Sequence, residues 1–98
     1  MTGRIDRDIC EGALKIDRYF NSLTGLDAFR PEAKLLFHLG SKGSLSVKEA
    51  MFVSGQSYRG FYIALGRLID GGFVEIESDR KDKRVRRISL SAAASGVE

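Results

Sequence analysis

The strongest constraint on this chain lies in its last third, where two segments of alternating polarity flank a short basic stretch. Residues 73–78, FVEIES, and 85–91, VRRISLS, place apolar side chains at every second position, which is the period of a strand. Antiparallel pairing with one apolar face sets Ile76 opposite Ile88, because a shift by one residue turns one strand's apolar face to solvent. The sequence therefore predicts a β-hairpin with a basic tip.

The same register makes two further predictions about the hairpin. It sets Val74 opposite Leu90 on the apolar face, and Glu77 opposite Arg87 on the solvent face. An opposite-charge pair in such a position stabilises a sheet by about 0.2–1 kcal/mol.

Positive charge is concentrated in this hairpin. The whole chain has 16 Lys and Arg and 13 Asp and Glu, a net charge of +3. Residues 79–91 hold six basic residues against two acidic ones, so the rest of the chain is nearly neutral. This pattern indicates a local anionic partner, and nucleic acid is favoured over a membrane because no amphipathic apolar face accompanies the charge. The alternative is a solvated hairpin whose charges only keep its edge from pairing with other sheets.

Two helices are predicted in the first half of the chain. The first covers 5–23, where apolar residues recur at spacings of four and three. The second begins at Pro31, where the missing N–H of proline costs nothing, and ends near Leu39. Gly40 then supplies a left-handed cap, and residues 40–43 form a loop.

The apolar stripe on the first helix has two candidate partners. It packs on its own domain or on a second copy of the chain, and two heptads are too few to predict a coiled coil. The candidate dimer interface consists of Ile5, Ile9, Ala13, Ile16 and Phe20.

Two helices joined by a tight turn precede the hairpin. Ser46 and Glu49 form a capping box, so one helix covers about 47–53. Ser57 caps a longer helix over 57–70. This order of elements predicts a winged helix-turn-helix, a mainly α fold with a small antiparallel β-sheet.

The length of 98 residues leaves room for one core and therefore one domain. We expect a single domain over 1–98, with an N-terminal helix within 1–24 and a DNA-binding lobe over 31–91. The wing tip is expected at 79–85, and the tail at 92–98 is expected to fray.

The sequence predicts no enzymatic activity, no metal site and no membrane span. One cysteine cannot form an internal disulfide, and one cysteine with one histidine cannot form a structural zinc site without help from carboxylates. No acid pair or nucleophile with a base can be assembled, so we expect neither an enzyme nor a cofactor. No membrane span or secretion signal is evident, which favours the cytoplasm. Cys10 is interpreted as a packed residue and His38 as a structural one.

Three motifs resemble the MarR (multiple antibiotic resistance regulator) family of winged helix-turn-helix regulators. They are LSVKEA at 45–50, LGRLIDGGFVEI at 65–76 and DRKDKRVRRISLS at 79–91. The last has the family's spacing of two acids and a basic pair before an alternating strand. The resemblance covers about residues 32–91 and implies sequence-specific, usually dimeric, binding to a pseudo-palindromic operator in double-stranded DNA, most often as a repressor.

The family normally continues past the wing with two long helices that form the dimer interface, whereas this sequence stops at Glu98. If the chain forms a homodimer, its first helix is the best candidate surface. The family's effector pocket lies between the DNA-binding lobe and the dimer module, so a small-molecule effector is doubtful here.

The resemblance and the groove geometry of DNA together predict the contacts. The helix over 57–70 is the recognition helix in the major groove, and the wing over 79–87 lies at the minor groove. Arg59 is the best candidate for a base edge, and Arg84 corresponds to the family's minor-groove arginine, with Asp82 bracing the tip. The candidate DNA-binding residues are Ser46, Lys48, Ser57, Tyr58, Arg59, Tyr62, Arg67, Lys81, Lys83, Arg84 and Arg86.

Several of these positions have a structural alternative. Tyr58 and Tyr62 either touch DNA or support the motif as partly buried residues, and capping alone explains Ser46. Gly60 and Gly66 each cost about 1 kcal/mol inside a helix. Gly60 either lets the helix approach a phosphate closely or, like Gly66, admits a neighbouring side chain. The rival function is a winged-helix protein-interaction module without DNA binding.

Overall fold

The computed structural model describes residues 5–95 and has the predicted mainly α fold with a small antiparallel sheet. Its sheet has three strands in the order β1-β3-β2. The elements in chain order are α1 (Arg7–Thr24), α2 (Pro31–Lys42), β1 (Ser44–Ser46), α3 (Val47–Ser54), α4 (Tyr58–Asp70), β2 (Val74–Ser78), β3 (Arg86–Leu90) and α5 (Ala92–Ser95).

Helix α2 supplies the centre of the core. Its Leu35 and Leu39 are 1% and 0% exposed. Burying a large apolar side chain stabilises a fold by about 1.5–3 kcal/mol, so this cluster dominates the packing. The buried residues that join them are Leu45, Ala50, Phe61, Leu65, Leu68, Val74 and Ile88.

Strand β3 is the middle strand of the sheet. The predicted register is confirmed, because Ile88 pairs with Ile76 and Leu90 pairs with Val74. On its other side, Ile88 pairs with Leu45 of β1. Strand β1 was not predicted, since three residues are too few to show an alternating pattern.

Helix α2 is longer than predicted. Gly40 does not end it, and the predicted loop over 40–43 is wrong for its first three residues. The helix ends instead at Gly43, which has a φ of 90°. Gly40 is needed for another reason, because a Cβ there would lie 2.5 Å from both the Cys10 Sγ and the Ile5 Cγ2. The glycine thus lets α1 approach α2.

Helix α1 packs through a different face from its apolar stripe. Cys10, Leu14 and Asp17 are its buried residues. Ile16 of the stripe is 58% exposed, so the interpretation that the stripe packs on its own domain is wrong. Ile9 and Phe20 are also exposed, and only Ile5 and Ala13 are half-buried.

A buried ion pair ties α1 to α2. The Lys34 ammonium lies 3.3 Å from an Asp17 carboxylate oxygen, and both side chains are nearly excluded from solvent. Lys34 is also 3.3 Å from Asp27, and the Ala28 N–H donates to Asp17 at 2.8 Å. Every charge in this group therefore has a partner, as burial requires.

The tail predicted to fray over 92–98 begins with an ordered turn. Ala92–Ser95 form α5, and Ala94 is 1% exposed. The Ile5 N–H donates to the Ala94 carbonyl at 3.0 Å, and the Ala94 N–H donates to the Ser91 hydroxyl at 3.2 Å. Residues 96–98 of the predicted tail lie outside the described residues, as do residues 1–4 of the predicted N-terminal segment.

Substituting two helical glycines tests the contact between α1 and α2. Gly40→Ala should destabilise the fold by about 1–3 kcal/mol, because its Cβ overpacks the interface. Gly12→Ala is the matched control on α1, where a Cβ would meet no described atom within 4 Å. It should stabilise the fold by about 1 kcal/mol. Urea denaturation of both variants measures this, and equal effects would contradict the packing described.

Candidate nucleic-acid interface

Helices α3 and α4 form the predicted helix-turn-helix. Gly55 makes the turn with a φ of 66°, and the Ser54 hydroxyl donates to the Met51 carbonyl at 2.9 Å. The capping box is present, since the Glu49 N–H donates to the Ser46 hydroxyl and the Ser46 N–H donates to the Glu49 carboxylate. Hydrogen bonds to the Glu49 carboxylate from the Ser46 backbone, and then from its side chain, hold the pKa of Glu49 below its ordinary value.

Helix α4 exposes the face that was predicted to enter a groove. Its inner face buries Phe61, Ala64, Leu65 and Leu68. On the outer face Tyr58 is 70% exposed and Tyr62 is 41% exposed, so Tyr58 is not a buried support. Their ring centroids are 4.8 Å apart, and the Tyr62 ring also packs edge-on against Phe61. Tyr62 therefore combines an exposed face with a packed one.

The two ends of α4 differ in their arginines. Arg59, near the N-terminus, is exposed. Arg67, near the C-terminus, lies 3.2 Å from a Glu32 carboxylate oxygen, and Glu32 also contacts Arg30. An anion must compete with Glu32 for Arg67. None of the ion pairs among the described residues involves Arg59.

The start of α4 is fixed by Ser57. The Gly60 N–H donates to the Ser57 hydroxyl at 3.1 Å, so Ser57 acts as the N-cap. A Cβ at Gly60 would lie 3.1 Å from that hydroxyl, which fits the interpretation that Gly60 admits a neighbouring side chain. A Cβ at Gly66 would meet no described atom within 4 Å, so the same interpretation is wrong for Gly66.

Two aspartates shape the wing tip. The Asp79 carboxylate accepts hydrogen bonds from the N–H groups of Lys81 at 2.8 Å and Asp82 at 3.2 Å. The Asp82 carboxylate accepts from Arg84 through its backbone N–H, Nε and Nη2 at 3.0–3.2 Å. The Arg84 side chain is nonetheless 91% exposed. Asp82 therefore braces the tip as predicted, and it orients an arginine that faces solvent.

The fold brings residues that were predicted to bind DNA from three elements to one groove. The start of α3, the middle of α4 and the returning arm of the wing line it together. Its apolar floor includes Val47 and Met51, which the sequence analysis missed, although their spacing of four on α3 was a usable signal. The lining residues are Ser46, Val47, Lys48, Met51, Tyr62, Arg84, Val85 and Arg86. Lys81 and Lys83 are exposed on the tip, outside this groove.

The remaining chemistry-bearing residues lie away from this surface. Burial raises the pKa of the Cys10 thiol, which fits a packed residue. Burial and the nearby Lys34 charge lower the pKa of His38. Within residues 5–95 no set of His, Cys, Asp and Glu side chains is arranged to hold a metal ion. No helix in that range is both long and apolar enough to cross a membrane.

Solved structures show the same fold. The reduced form of MarR from E. coli is 27% identical to this chain with a TM-score of 0.58, covering 92% of this chain and 69% of that one. A mutant MarR from E. coli complexed with operator DNA is 25% identical with a TM-score of 0.61, covering 92% and 65%. The chain therefore has the winged helix-turn-helix fold of MarR from E. coli. A transcriptional regulator named PA4135 is 18% identical with a TM-score of 0.63, covering 91% and 64%.

The match of this chain to the solved structures is partial in length. It spans 64% of PA4135 and 65% of the DNA-bound MarR mutant, which is just under two thirds of each. No protein-family model and no curated protein sequence matches the chain. Two of the matched structures, 18% and 21% identical to this chain, are described as a transcriptional regulator and a probable transcriptional regulator.

The Asp82 carboxylate should titrate below the ordinary aspartate pKa of about 3.9. Its pKa is lowered by hydrogen bonds from the Arg84 side chain and then from the Arg84 backbone. Because the pKa of Asp82 is depressed in the folded state, the stabilisation from its contact with Arg84 should be fully present above the ordinary pKa. It should be lost only as the pH falls through the lowered pKa. Carboxyl-carbon NMR measures the midpoint, and Arg84→Ala should raise it. An unchanged midpoint in that variant would contradict the bracing contact.

Proposed function

We propose that this chain is a sequence-specific DNA-binding transcriptional regulator, with α4 in the major groove and the wing at the minor groove. The observation that carries the proposal is the shared groove between α3, α4 and the wing, which collects Lys48, Arg84 and Arg86 beside Tyr62. The presence of operator DNA on a mutant MarR of the same fold supports it. Base contacts in the major groove give sequence specificity, and phosphate contacts give register.

Residue roles follow from exposure. Arg59 is exposed near the start of α4 and is proposed to read a base edge, where a bidentate contact to guanine discriminates by about 1–3 kcal/mol. Arg84 is proposed to enter the minor groove, held in direction by Asp82. Tyr58 and Tyr62 are proposed to contact phosphates or a thymine methyl. The proposed phosphate contacts are Ser46, Lys48, Ser57, Arg67, Lys81, Lys83 and Arg86.

The proposed mechanism is repression by occupancy. Two copies bind adjacent half-sites about 10 base pairs apart, and the bound protein excludes polymerase. The exposed stripe of α1 supports the homodimer, since Ile9 and Ile16 are 69% and 58% exposed. Contiguous exposed apolar surface of this kind marks an interaction site. No small-molecule effector is part of the proposal, and the cytoplasm is the proposed location.

A protein-interaction module is the second candidate function. It is favoured by Phe52 of α3, which is 86% exposed and lies outside the shared groove. Ionic strength separates the two functions, because phosphate contacts release counterions and weaken steeply with salt, whereas an apolar protein interface does not.

Fluorescence anisotropy with a random DNA duplex tests DNA binding. Wild-type protein should bind with an affinity that falls steeply between low and physiological salt. Arg84→Ala should weaken binding by about tenfold, as expected for a groove contact worth about 1–3 kcal/mol. Arg7→Ala is the matched control, since it removes the same charge from a side chain that is 74% exposed on α1. Absence of binding at low salt would reject the proposal.

Analytical ultracentrifugation tests the dimer. Ile16→Asp places a charge in the middle of the α1 stripe and should convert a homodimer to monomers, because an unpaired charge is costly to bury. Lys15→Asp is the control, since Lys15 is an exposed neighbour outside the stripe. A wild-type protein that is monomeric at tens of micromolar would overturn the dimer proposal.

A further inference from the structure

Arg87 differs from the other basic residues of the wing. Its side chain is 33% exposed, whereas that of Arg84 is 91% exposed. The sequence predicted that Arg87 pairs across the sheet with Glu77, and the backbone register does place them opposite each other. The predicted ion pair is wrong, because among the described contacts the Arg87 guanidinium turns towards other partners.

Three side chains contact the Arg87 guanidinium. Its Nε and Nη2 donate to the Ser44 hydroxyl at 3.3 and 3.0 Å. Its Nη1 lies 3.6 Å from an Asp79 carboxylate oxygen and 4.0 Å from a Glu49 carboxylate oxygen. One side chain therefore contacts the start of β1, the first turn of α3 and the base of the wing tip.

Each of these partners already shapes part of the interface. Asp79 uses its other oxygen to accept hydrogen bonds from the Lys81 and Asp82 N–H groups at the wing tip. Glu49 uses the same oxygen to accept from the Ser46 N–H, which caps α3. The guanidinium thus joins the carboxylate that organises the tip to the carboxylate that caps the helix.

The charge of Arg87 is offset locally by these two carboxylates. A guanidinium shared by two acids attracts a DNA phosphate less than a free one does, because the acids repel the phosphate. Its planar fork suits contacts with several acceptors at fixed angles. These features favour a fixed geometric role over a phosphate contact.

We propose that Arg87 is a positioning residue that holds the wing tip at a set distance from α3, so that Arg84 and α4 engage one DNA duplex together. This inference rests on the proposed DNA-binding function. The tip over 79–85 lies beyond the last paired residues of the hairpin, Ser78 and Arg86, and a backbone hydrogen bond from the Asp79 N–H to the Val85 carbonyl at 2.8 Å closes its base. Arg87 supplies a side-chain link from the tip to the helix-turn-helix.

A double-mutant cycle tests whether Arg87 acts through the wing. Arg87→Gln should weaken DNA binding by about tenfold in the wild-type background and by less than about twofold in the Arg84→Ala background, since coupled residues are not additive. Arg86→Gln is the control, because it removes the same charge from an exposed neighbour and should be additive with Arg84→Ala. Equal effects of Arg87→Gln in both backgrounds would overturn the proposal.

A charge-removing substitution at Asp79 gives a second test. Asp79→Asn removes a negative charge from a DNA-facing hairpin, so electrostatics alone predict tighter binding. The positioning role predicts weaker binding, because the link from Arg87 to the tip is lost. Tighter binding by Asp79→Asn would therefore contradict the proposal.

Amide hydrogen exchange of the free protein tests the positioning role of Arg87 independently of DNA binding. In the free protein, Arg87→Gln should speed amide hydrogen exchange of Lys81 and Asp82 several-fold by NMR, while circular dichroism confirms folding. Ser44→Ala, which leaves both carboxylates in place, should have a smaller effect in the same direction. Unchanged exchange in a folded Arg87→Gln variant would reject the positioning role. Loss of wild-type DNA binding alone would reject only the proposed function.

Discussion

The structure depends on the pairing of one central strand. Ile88 of β3 is 0% exposed and pairs with Leu45 on one side and Ile76 on the other. Through Leu45 it joins the strand that leads into α3, and through Ile76 it joins the first arm of the wing. The strand arms of the wing are therefore held in one register relative to the start of the helix-turn-helix, because a one-residue slip on either side would expose the core face.

Much of the fold and part of the candidate site could be predicted from the sequence, because the determining interactions are local. The hairpin register follows from alternation, and the start of α3 follows from Ser46 and Glu49. The exposed face of α4 follows from helical spacing, and the bracing of Arg84 by Asp82 involves residues two apart. Local patterns of this kind are visible in the amino-acid sequence itself.

The remainder depends on contacts between distant residues. In the sequence Gly40 indicates the end of a helix, whereas in the structure it allows the close packing of α1 on α2. The buried face of α1 could not be predicted because it includes the charged Asp17, and burial of a charge becomes favourable only once its partner, Lys34, is known. Arg87 was assigned to its cross-strand neighbour, whereas Ser44 lies 43 residues away in sequence. Contacts of this kind are determined by tertiary packing and leave no periodic pattern in the sequence.

We infer that the helix-turn-helix and the wing form one DNA-binding surface. The most direct test is to titrate isotopically labelled protein with a DNA duplex and follow the backbone amides by NMR. We expect concurrent shifts at the starts of α3 and α4 and at residues 81–86, with little change at Leu14 or Ala94. Shifts confined to α1 or to the surroundings of Phe52, with an unperturbed wing, would contradict it.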